Sequence, residues 1–479
     1  MVQGTTSDAG KSILVAAICR IFKNHAQKVA PFKPQNMALN SAVTKDGGEI
    51  GRAQAVQAMA AGIAPTTDMN PVLLKPNTDI GAQVIVNGKA VANMDAKYYH
   101  NHKPQLLQSV LESHSRLVNA HDFVIVEGAG SPAEINLRDR DIANMGFAEV
   151  ADCPVVIVAD IDRGGVFAHL TGTLDCLSQS EQDRVKGFVI NRFRGDIKLL
   201  EPGLNWLEEK TGKPVLGVIP YIQNLHIEAE DAIHIKQQNT GENVLNIVVP
   251  VLPRISNHTD FDALALHPNV NLEFIKDPKK YKGCDLLILP GTKNVRQDYD
   301  WLVSSGWADH VHKHLRYGGK VIGICGGFQM LGNAIHDTNG IEGTAGSTHT
   351  FGYLDFETEL QESKQLKNVA GHVIDSNIQF KGYEIHAGES RGPAFENCLF
   401  ELTSHKDGII NQDNSVLGSY IHGIFDEKSM LEYLLTWAGL KSIDAFDYKQ
   451  HQEAEIDRLA SEVEKAIPYE KWLSTMNSK

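Results

Sequence analysis

Cys325 stands at the end of a short apolar run and is followed by two glycines, in the stretch GKVIGICGGFQMLG. A strand ending at Ile324 and a helix beginning just after the cysteine would place the thiol on a sharp turn, as in a nucleophile elbow. The helix start favours the thiolate, and the N–H of Gly326 can face an oxyanion. Gly291, in LPGTKN, is a candidate second oxyanion donor. The pattern predicts a cysteine nucleophile that attacks a carbonyl carbon.

A thiol nucleophile needs a base, and two histidines are candidates. His422, in LGSYIHGIFD, follows a late predicted strand and is the first choice. His386, in KGYEIHAGES, is the second. The preference for His422 rests on its position at a strand end and on the family resemblance given below.

The chain also carries a phosphate-loop pattern near its start, in MVQGTTSDAGKS. Gly10, Lys11 and Ser12 fit the end of the motif, with Lys11 reaching the β- and γ-phosphates of ATP and Ser12 binding Mg²⁺. Thr5 occupies the position of the first glycine, and Gly4 comes one residue early. Little chain precedes the loop, so either Val2 and Gln3 form a very short strand or the sequence begins downstream of the true start.

A second magnesium ligand is expected where a buried strand in HDFVIVEGAGS ends in Glu127, since ligands of open α/β sheets bind at the carboxyl edge. Asn191, in INRFRGD, ends another strand and could bind a purine edge. Weaker candidates are Asp46 and Glu49 for the metal, and Arg192 and Arg194 for an anion.

The elements that must position these residues are buried strands alternating with helices. Continuous apolar runs such as FVIVEGAG, PVVIVADIDRGG, CDLLILPGTKN and KVIGICGG predict parallel strands covered on both faces. The polar stretch HIKQQNTGENV interrupts this rhythm. We therefore expect an α/β fold with two doubly wound domains, at 1–235 and 246–440, a linker at 236–245 and a helical tail at 441–479. Ile456, Leu459 and Val463 predict an amphipathic tail helix packed on the second domain.

Composition narrows the class of protein. With 479 residues, 42% of them hydrophobic and 22% charged, the chain is expected to be globular with more than one domain. A formal charge of −14 argues against nucleic-acid or anionic-membrane binding. The six cysteines are scattered without a C-x-x-C pair, and neither a signal peptide nor a membrane-length apolar run is present. These features predict a cytoplasmic protein, without membrane insertion.

Several stretches together identify a family. Gly323 to Gln329 matches the G-x-C-x-G-x-Q pattern of class I glutamine amidotransferases, and the first domain resembles the P-loop dethiobiotin synthetase-like ATPases, which share the early glycine. QGTTSDAGKS, PFKPQNMALNS, DGGEIGRAQ, EGAGSPAEINL, DIDRGGVFA, GYEIHAGES and GSYIHGIFD resemble the cobyric acid synthase family along nearly the whole chain.

The resemblance implies ATP- and glutamine-dependent amidation of the b, d, e and g carboxylates of adenosylcobyrinic acid a,c-diamide. L-glutamine and an adenosylated corrinoid would be the substrates, with ATP and Mg²⁺ required. One departure concerns the base: class I enzymes usually carry an acid two residues after the histidine, whereas Gly423 and Ile424 follow His422. The cobyric acid synthase family is similar in this respect, so the site is either a Cys–His dyad or has an orienting group from elsewhere.

Two alternatives remain open from the sequence. The related cobyrinic acid a,c-diamide synthase acts on other carboxylates of the same ring, although FKPQNMALNS favours cobyric acid synthase. A ParA-like nucleotide switch with a non-catalytic second domain belongs to a different class, and the Cys325 turn argues against it.

Overall fold

The predicted apolar runs of the first half form a parallel sheet in a computed structural model, which describes residues 1–76, 81–228 and 243–477. Val155–Asp160 lies between Val2–Gly4 and Val185–Phe193, and Val215–Pro220 follows on the outer side. Val29–Phe32 pairs in parallel with Phe123–Val126, and a bridge from Val2 to Glu127 joins this pair to the sheet. The three-residue strand Val2–Gly4 therefore fills the place before the loop.

The chain divides into two compact units, and the first comprises Met1–Ala38, Thr44–Glu228 and Gln452–Lys479. Besides the parallel strands it contains a second sheet, in which Val72–Pro76 pairs in parallel with Gln35–Met37 and antiparallel with Gly81–Val86. Its remaining strands are Glu49–Gly51 and Lys89–Asp95. Its helices are Lys11–Asn24, Arg52–Ala61, Ala96–Ala120, Met145–Val150, Val166–Asp175, Gln179–Arg184, Ile197–Thr211, most of Tyr448–Ala466, and Tyr469–Met476.

The C-terminal helices correct one expectation. Ile456, Leu459 and Val463 do form a buried helical face, but they pack in one cluster with Leu14 and Val158 of the first unit. The prediction that this helix packs on the second domain was wrong. An amphipathic pattern predicts that a face is buried without identifying the surface that covers it.

The second unit comprises Leu39–Val43 and, among the described residues, 243–451. Its strands Val270–Ile275, Leu245–Pro250, Leu286–Leu289, Lys320–Ile324 and Val416–Ser419 lie in that order and are parallel. The predicted α/β fold with two sheet-based domains is thus confirmed. Helices Asp262–Leu266, Val295–Ser305, Trp307–Arg316, Gly326–Met330 and Lys428–Trp437 belong to this unit.

A largely antiparallel extension continues the same sheet beyond Val416–Ser419. It contains Lys406–Ile410, Cys398–Leu402, Glu357–Val373, Gln379–Arg391, Ala334–Asp337 and Gly346–His349. Most of the predicted linker, 236–245, lies outside the described residues. Among the described residues, no helix is both long enough and apolar enough to cross a bilayer.

Candidate functional site

Cys325 lies on the strand-to-helix turn that its sequence predicts. The strand Lys320–Ile324 ends at the cysteine, and the short helix Gly326–Met330 follows it. Cys325 has φ 51° and ψ −107°, which is a strained backbone for a residue with a side chain. The turn is held by the Cys325 N–H, which donates to the Ser419 carbonyl at 2.8 Å. A Cβ on Gly327 would lie 2.0 Å from the Leu289 carbonyl oxygen, so only glycine fits there.

His422 is the histidine that the structure brings to Cys325. Its Nδ1 lies 2.6 Å from Asp260 Oδ2, and Asp260 Oδ1 accepts from the Gly423 N–H at 3.0 Å. Burial by itself lowers the pKa of His422, but the Asp260 carboxylate and the Cys325 thiolate outweigh burial and raise the pKa to about 10. The arrangement therefore stabilises a protonated His422 ring next to Cys325, and a cationic neighbour of this kind favours reaction of a cysteine nucleophile.

Asp260 is a functional residue that sequence reasoning missed. It lies 162 residues before His422 in the chain, and not two residues after it. The available signal was the polar run NHTD shortly after the strand Leu245–Pro250, because acids that follow strand ends gather at the carboxyl edge of a parallel sheet. The structure thus provides an orienting group from elsewhere, the second of the two arrangements left open above.

The second histidine candidate has a different environment. His386 Nδ1 lies 2.7 Å from the Gly388 carbonyl oxygen, and its ring stacks on Tyr420 at 3.8 Å between centroids. Burial lowers the pKa of His386 to about 4. Its neighbour Ile385 presents a carbonyl 3.5 Å from the Cys325 sulfur. His386 therefore lies near Cys325 as a neutral ring whose Nδ1 contacts a backbone carbonyl oxygen.

Of the two glycines predicted to face an oxyanion, Gly326 lies at this turn and Gly291 lies in the loop after the strand Leu286–Leu289. A Cβ on Gly291 would be 3.2 Å from His422 Cε1, and a Cβ on Gly326 would be 3.0 Å from the backbone nitrogen of Thr292. Gly291 and Gly326 are therefore brought together with Cys325 and His422, while the oxyanion role stays a prediction. Gln329, one helical turn after Cys325, has a buried Oε1 without a hydrogen-bond partner among the described residues. This amide is a further candidate contact for a substrate.

The phosphate-loop residues lie at the start of the Lys11–Asn24 helix in the first unit. Gly10 has φ 94°, and a Cβ there would lie 2.2 Å from Asn191 Nδ2, so a glycine is required. Lys11 Nζ donates to the carbonyl oxygens of Thr6, Ser7 and Gly130 at 2.9 to 3.1 Å. The lysine is thus held inside the loop, where a phosphate can replace these carbonyl acceptors.

Ser12 and Glu127 are in direct contact. Ser12 Oγ donates to Glu127 Oε1 at 2.7 Å, Lys33 Nζ lies 2.9 Å from the same oxygen, and Gln57 Nε2 donates to Oε2 at 2.6 Å. Glu127 is fully buried, which raises its pKa, but Lys33 and the three hydrogen bonds prevail and hold the pKa below its usual range. The carboxylate is therefore ionised at neutral pH.

These two oxygens fit a magnesium ion by type, because Mg²⁺ in nucleotide sites takes few protein oxygens and fills its shell with phosphate and water. Among the described residues no group of three or more His, Cys, Asp or Glu could hold a metal by itself. Lys33 shares Glu127 Oε1 and would compete with the ion. Ser12 and Glu127 therefore suit a magnesium ion that binds together with the phosphates of a nucleotide.

The remaining predicted residues of the first unit are engaged with protein groups. Asn191 Nδ2 donates to the Ala9 carbonyl at 3.0 Å, so this residue supports the loop, and its contact with a purine stays a prediction. Arg192 pairs with Asp160, Arg194 with Asp162, Glu49 with Lys75, and Asp46 accepts from Thr67. A cavity of ≈ 320 Å³ beside the loop is lined by Thr6, Ser7, Asp8, Asp160, Arg163 and His169.

Comparison with known proteins gives two family matches. Residues 1–254 match a CobQ/CobB/MinD/ParA nucleotide binding domain, and residues 246–430 match a CobB/CobQ-like glutamine amidotransferase domain. Among solved structures, PurLQS from Thermotoga maritima is 18% identical, with 40% of this chain and 99% of that chain covered and a TM-score of 0.30. A glutamine amidotransferase is 21% identical, with 40% of this chain and 98% of that chain covered and a TM-score of 0.32. The MinD cell division protein of Aquifex aeolicus is 13% identical, with 47% of this chain and 82% of that chain covered and a TM-score of 0.26.

Proposed function

Because the chain belongs to the CobQ/CobB/MinD/ParA nucleotide-binding family and carries a CobB/CobQ-like glutamine amidotransferase domain, we propose that it acts as a cobyric acid synthase. The proposal starts from the enzyme class, which is a glutamine-hydrolysing amidotransferase with a nucleotide-binding domain. The acceptor that we propose is adenosylcobyrinic acid a,c-diamide, amidated at its b, d, e and g carboxylates. The stretches that resemble this group, FKPQNMALNS foremost, support that acceptor over cobyrinic acid.

The observation that carries the proposal is the Cys325–His422–Asp260 arrangement. Asp260 accepts a hydrogen bond at His422 Nδ1, which leaves Nε2 to exchange protons with the thiol. Cys325 Sγ attacks the glutamine carboxamide carbon, and Nε2 returns the proton to the departing nitrogen, so that ammonia leaves and a thioester remains. Water then hydrolyses the thioester to glutamate, with His422 as the base. A non-catalytic partner-binding domain has no use for these groups.

The first unit supplies the other half of the proposed chemistry. A carboxylate accepts ammonia poorly, because its leaving group would be oxide. Transfer of the γ-phosphoryl group of ATP to the carboxylate oxygen releases ADP, and ammonia then displaces phosphate from the acyl carbon. Lys11 would move from its carbonyl acceptors to the phosphates, and Ser12 and Glu127 would hold the magnesium ion. The bound ion would neutralise phosphoryl charge during this transfer.

The decisive experiment incubates the full chain with adenosylcobyrinic acid a,c-diamide, ATP, Mg²⁺ and glutamine, followed by mass analysis of the corrinoid. We expect progressive conversion of carboxylates to amides that depends on ATP. A parallel incubation uses cobyrinic acid as the acceptor. Amidation of that acceptor alone would identify an a,c-diamide synthase instead, and absence of glutaminase activity with ATP and either acceptor present would favour the nucleotide switch.

A further inference from the structure

Leu39–Val43 is a short segment that belongs to the second unit, although its neighbours in the sequence belong to the first. It lies within residues 1–254, the range that matches the nucleotide-binding family, and unit-one residues precede and follow it. Nevertheless it belongs to the second unit, and the strand Ser41–Val43 lies within it. Asn40 and Ser41 are buried, with 1% and 0% of their surface exposed. Buried polar groups of this kind require partners, and those partners lie beside the catalytic histidine.

Asn40 binds His258 at two points. Its Oδ1 accepts from the His258 backbone N–H at 3.2 Å, and its Nδ2 lies 2.8 Å from His258 Nε2. Because an amide nitrogen only donates, His258 Nε2 is the acceptor in this contact. The two bonds fix both the backbone and the ring of a residue that lies two positions before Asp260 in the short helix His258–Phe261.

Ser41 and Val43 contact other residues that lie next to His422. The Ser41 N–H donates to Asn257 Oδ1 at 2.9 Å, and Asn257 Nδ2 lies 3.4 Å from His422 Nε2. Val43 packs in one cluster with Tyr383, whose ring stacks on that of His422 at 5.3 Å between centroids. The segment therefore contacts residues on more than one side of the histidine.

We propose that Asn40 is a positioning residue of the glutaminase centre, which acts by holding the His258–Asp260 backbone so that the Asp260 carboxylate meets His422 Nδ1. The inference rests on the glutaminase role of Cys325 and His422, and it is independent of the acceptor's identity. Without Asn40 the His258 N–H and ring lose both bonds inside a buried site, and the Asp260 backbone gains freedom. A displacement of about 1 Å in a supporting group costs about 100-fold in rate.

The test compares Asn40→Ala with wild type as full-length proteins, measuring release of glutamate from glutamine. We expect kcat to fall about 100-fold while KM changes little, because the substrate pocket keeps its own contacts. Amidation supported by added ammonia should be retained. Met37→Ala is the matched control, since Met37 lies three residues earlier and is 57% exposed; its glutaminase activity should equal that of wild type.

A double-variant cycle separates positioning from a general loss of folded protein. If Asn40 acts through Asp260, Asn40→Ala should add little to the defect of Asp260→Asn, because the second change removes the group that the first one positions. Full additivity of the two effects would contradict the proposal. So would unchanged kcat in Asn40→Ala, or equal loss of glutamine- and ammonia-dependent amidation.

Two further measurements keep the inference testable. If Asn40→Ala is recovered in poor yield, Asn40→Asp retains the acceptor for the His258 N–H, and we expect it to lose less activity than the alanine variant. If wild type turns over glutamine too slowly to measure, alkylation of Cys325 by iodoacetamide, followed by peptide mapping, reports thiolate formation directly. Asn40→Ala should then react more slowly at neutral pH, and an unchanged rate would overturn the proposal. An active glutaminase that leaves the a,c-diamide unmodified would refute only the proposed acceptor.

Discussion

Substituting Asp260 by asparagine is the sharpest perturbation of the glutaminase centre. The carboxylate accepts from His422 Nδ1 at 2.6 Å and from the Gly423 N–H at 3.0 Å, and it is almost completely buried. Asparagine has nearly the same shape, so packing should be preserved while the charge is lost. An amide that keeps Oδ1 on the Gly423 N–H would turn its NH₂ group toward His422, which favours the tautomer with the proton on Nε2. The imidazole would then be poorly placed to accept the thiol proton.

The magnitude follows from the electrostatics of His422. Its pKa is raised to about 10 against the ordinary 6.5, although burial works in the opposite direction. At about 1.36 kcal/mol for each pKa unit, this elevation corresponds to about 5 kcal/mol of imidazolium stabilisation. Asp260 shares this stabilisation with Cys325, so we assign the carboxylate roughly half of it, on the order of 2 to 3 kcal/mol. We therefore expect kcat/KM for glutamine hydrolysis to fall about 100-fold.

The assay is glutamate release as a function of pH. In wild type the imidazolium persists until the pH rises toward about 10, whereas in Asp260→Asn burial is no longer opposed by the carboxylate and the pKa of His422 falls. The upper limb of the activity profile should accordingly move to lower pH in the variant. Ammonia-dependent amidation should be unaffected, and Asp309→Asn, at an exposed position of the same unit, serves as the control. Wild-type kcat/KM in Asp260→Asn, or a reduced rate with an unmoved upper limb, would refute this reasoning.

Four further predictions concern the rest of the chemistry and the fold. Cys325→Ala should abolish glutamine-dependent amidation and leave ammonia-dependent amidation, as measured on the corrinoid by mass; equal loss of both would remove its role as nucleophile. Lys11→Ala should remove amidation with either nitrogen source, and substantial retained activity would exclude Lys11 from the site. Glu127→Gln removes the charge that balances Lys33 and should cost about 3 to 5 kcal/mol in urea unfolding. The pKa of Glu127 is lowered by folding, so in wild type its carboxylate stabilises the folded state fully at pH values above the ordinary pKa of 4.5. This stabilisation is lost as the pH falls through the lower, folded-state pKa, and the variant should lack this acid dependence of the free energy of unfolding. Trp472→Ala, in the buried face of the last helix, should destabilise the first unit by about 3 to 5 kcal/mol, and an unchanged unfolding midpoint would contradict its place in that core.

Short stretches of sequence were sufficient to predict the strands and turns that carry the predicted site residues. The runs around Val155–Asp160 and Lys320–Ile324 are continuously apolar, and each forms a central strand buried on both faces. The turn at Cys325 could be predicted because Gly323, Gly326 and Gly327 all stand within two residues of it in the sequence. Ser12 and Glu127, although far apart in the chain, meet because a helix start and a strand end share one edge of the sheet.

Features that depend on distant partners could not be predicted in this way. The long strands Glu357–Val373 and Gln379–Arg391 are polar and half-exposed, so they lack the continuous apolar run by which the other strands were recognised. The apolar spacing in the helix Tyr448–Ala466 predicted a buried face, but it could not predict which surface covers that face. The segment Leu39–Val43 gave no sign in sequence that it belongs to the second unit, because its pairing with Asn257 and His258 is set by tertiary structure alone.

The position of the acid at Asp260 explains why none follows His422. An acid two residues after the histidine would stand at Ile424, which is 1% exposed and packs in the apolar core of the second unit. A carboxylate there would lose its hydration without gaining a cation, at a cost of several kcal/mol. Asp260 avoids this cost, because it lies in the short helix His258–Phe261 and its two oxygens are satisfied by the His422 ring and the Gly423 N–H. A buried apolar residue at position 424 is therefore compatible with an oriented His422 ring, because Asp260 contacts that ring from 162 residues earlier in the chain.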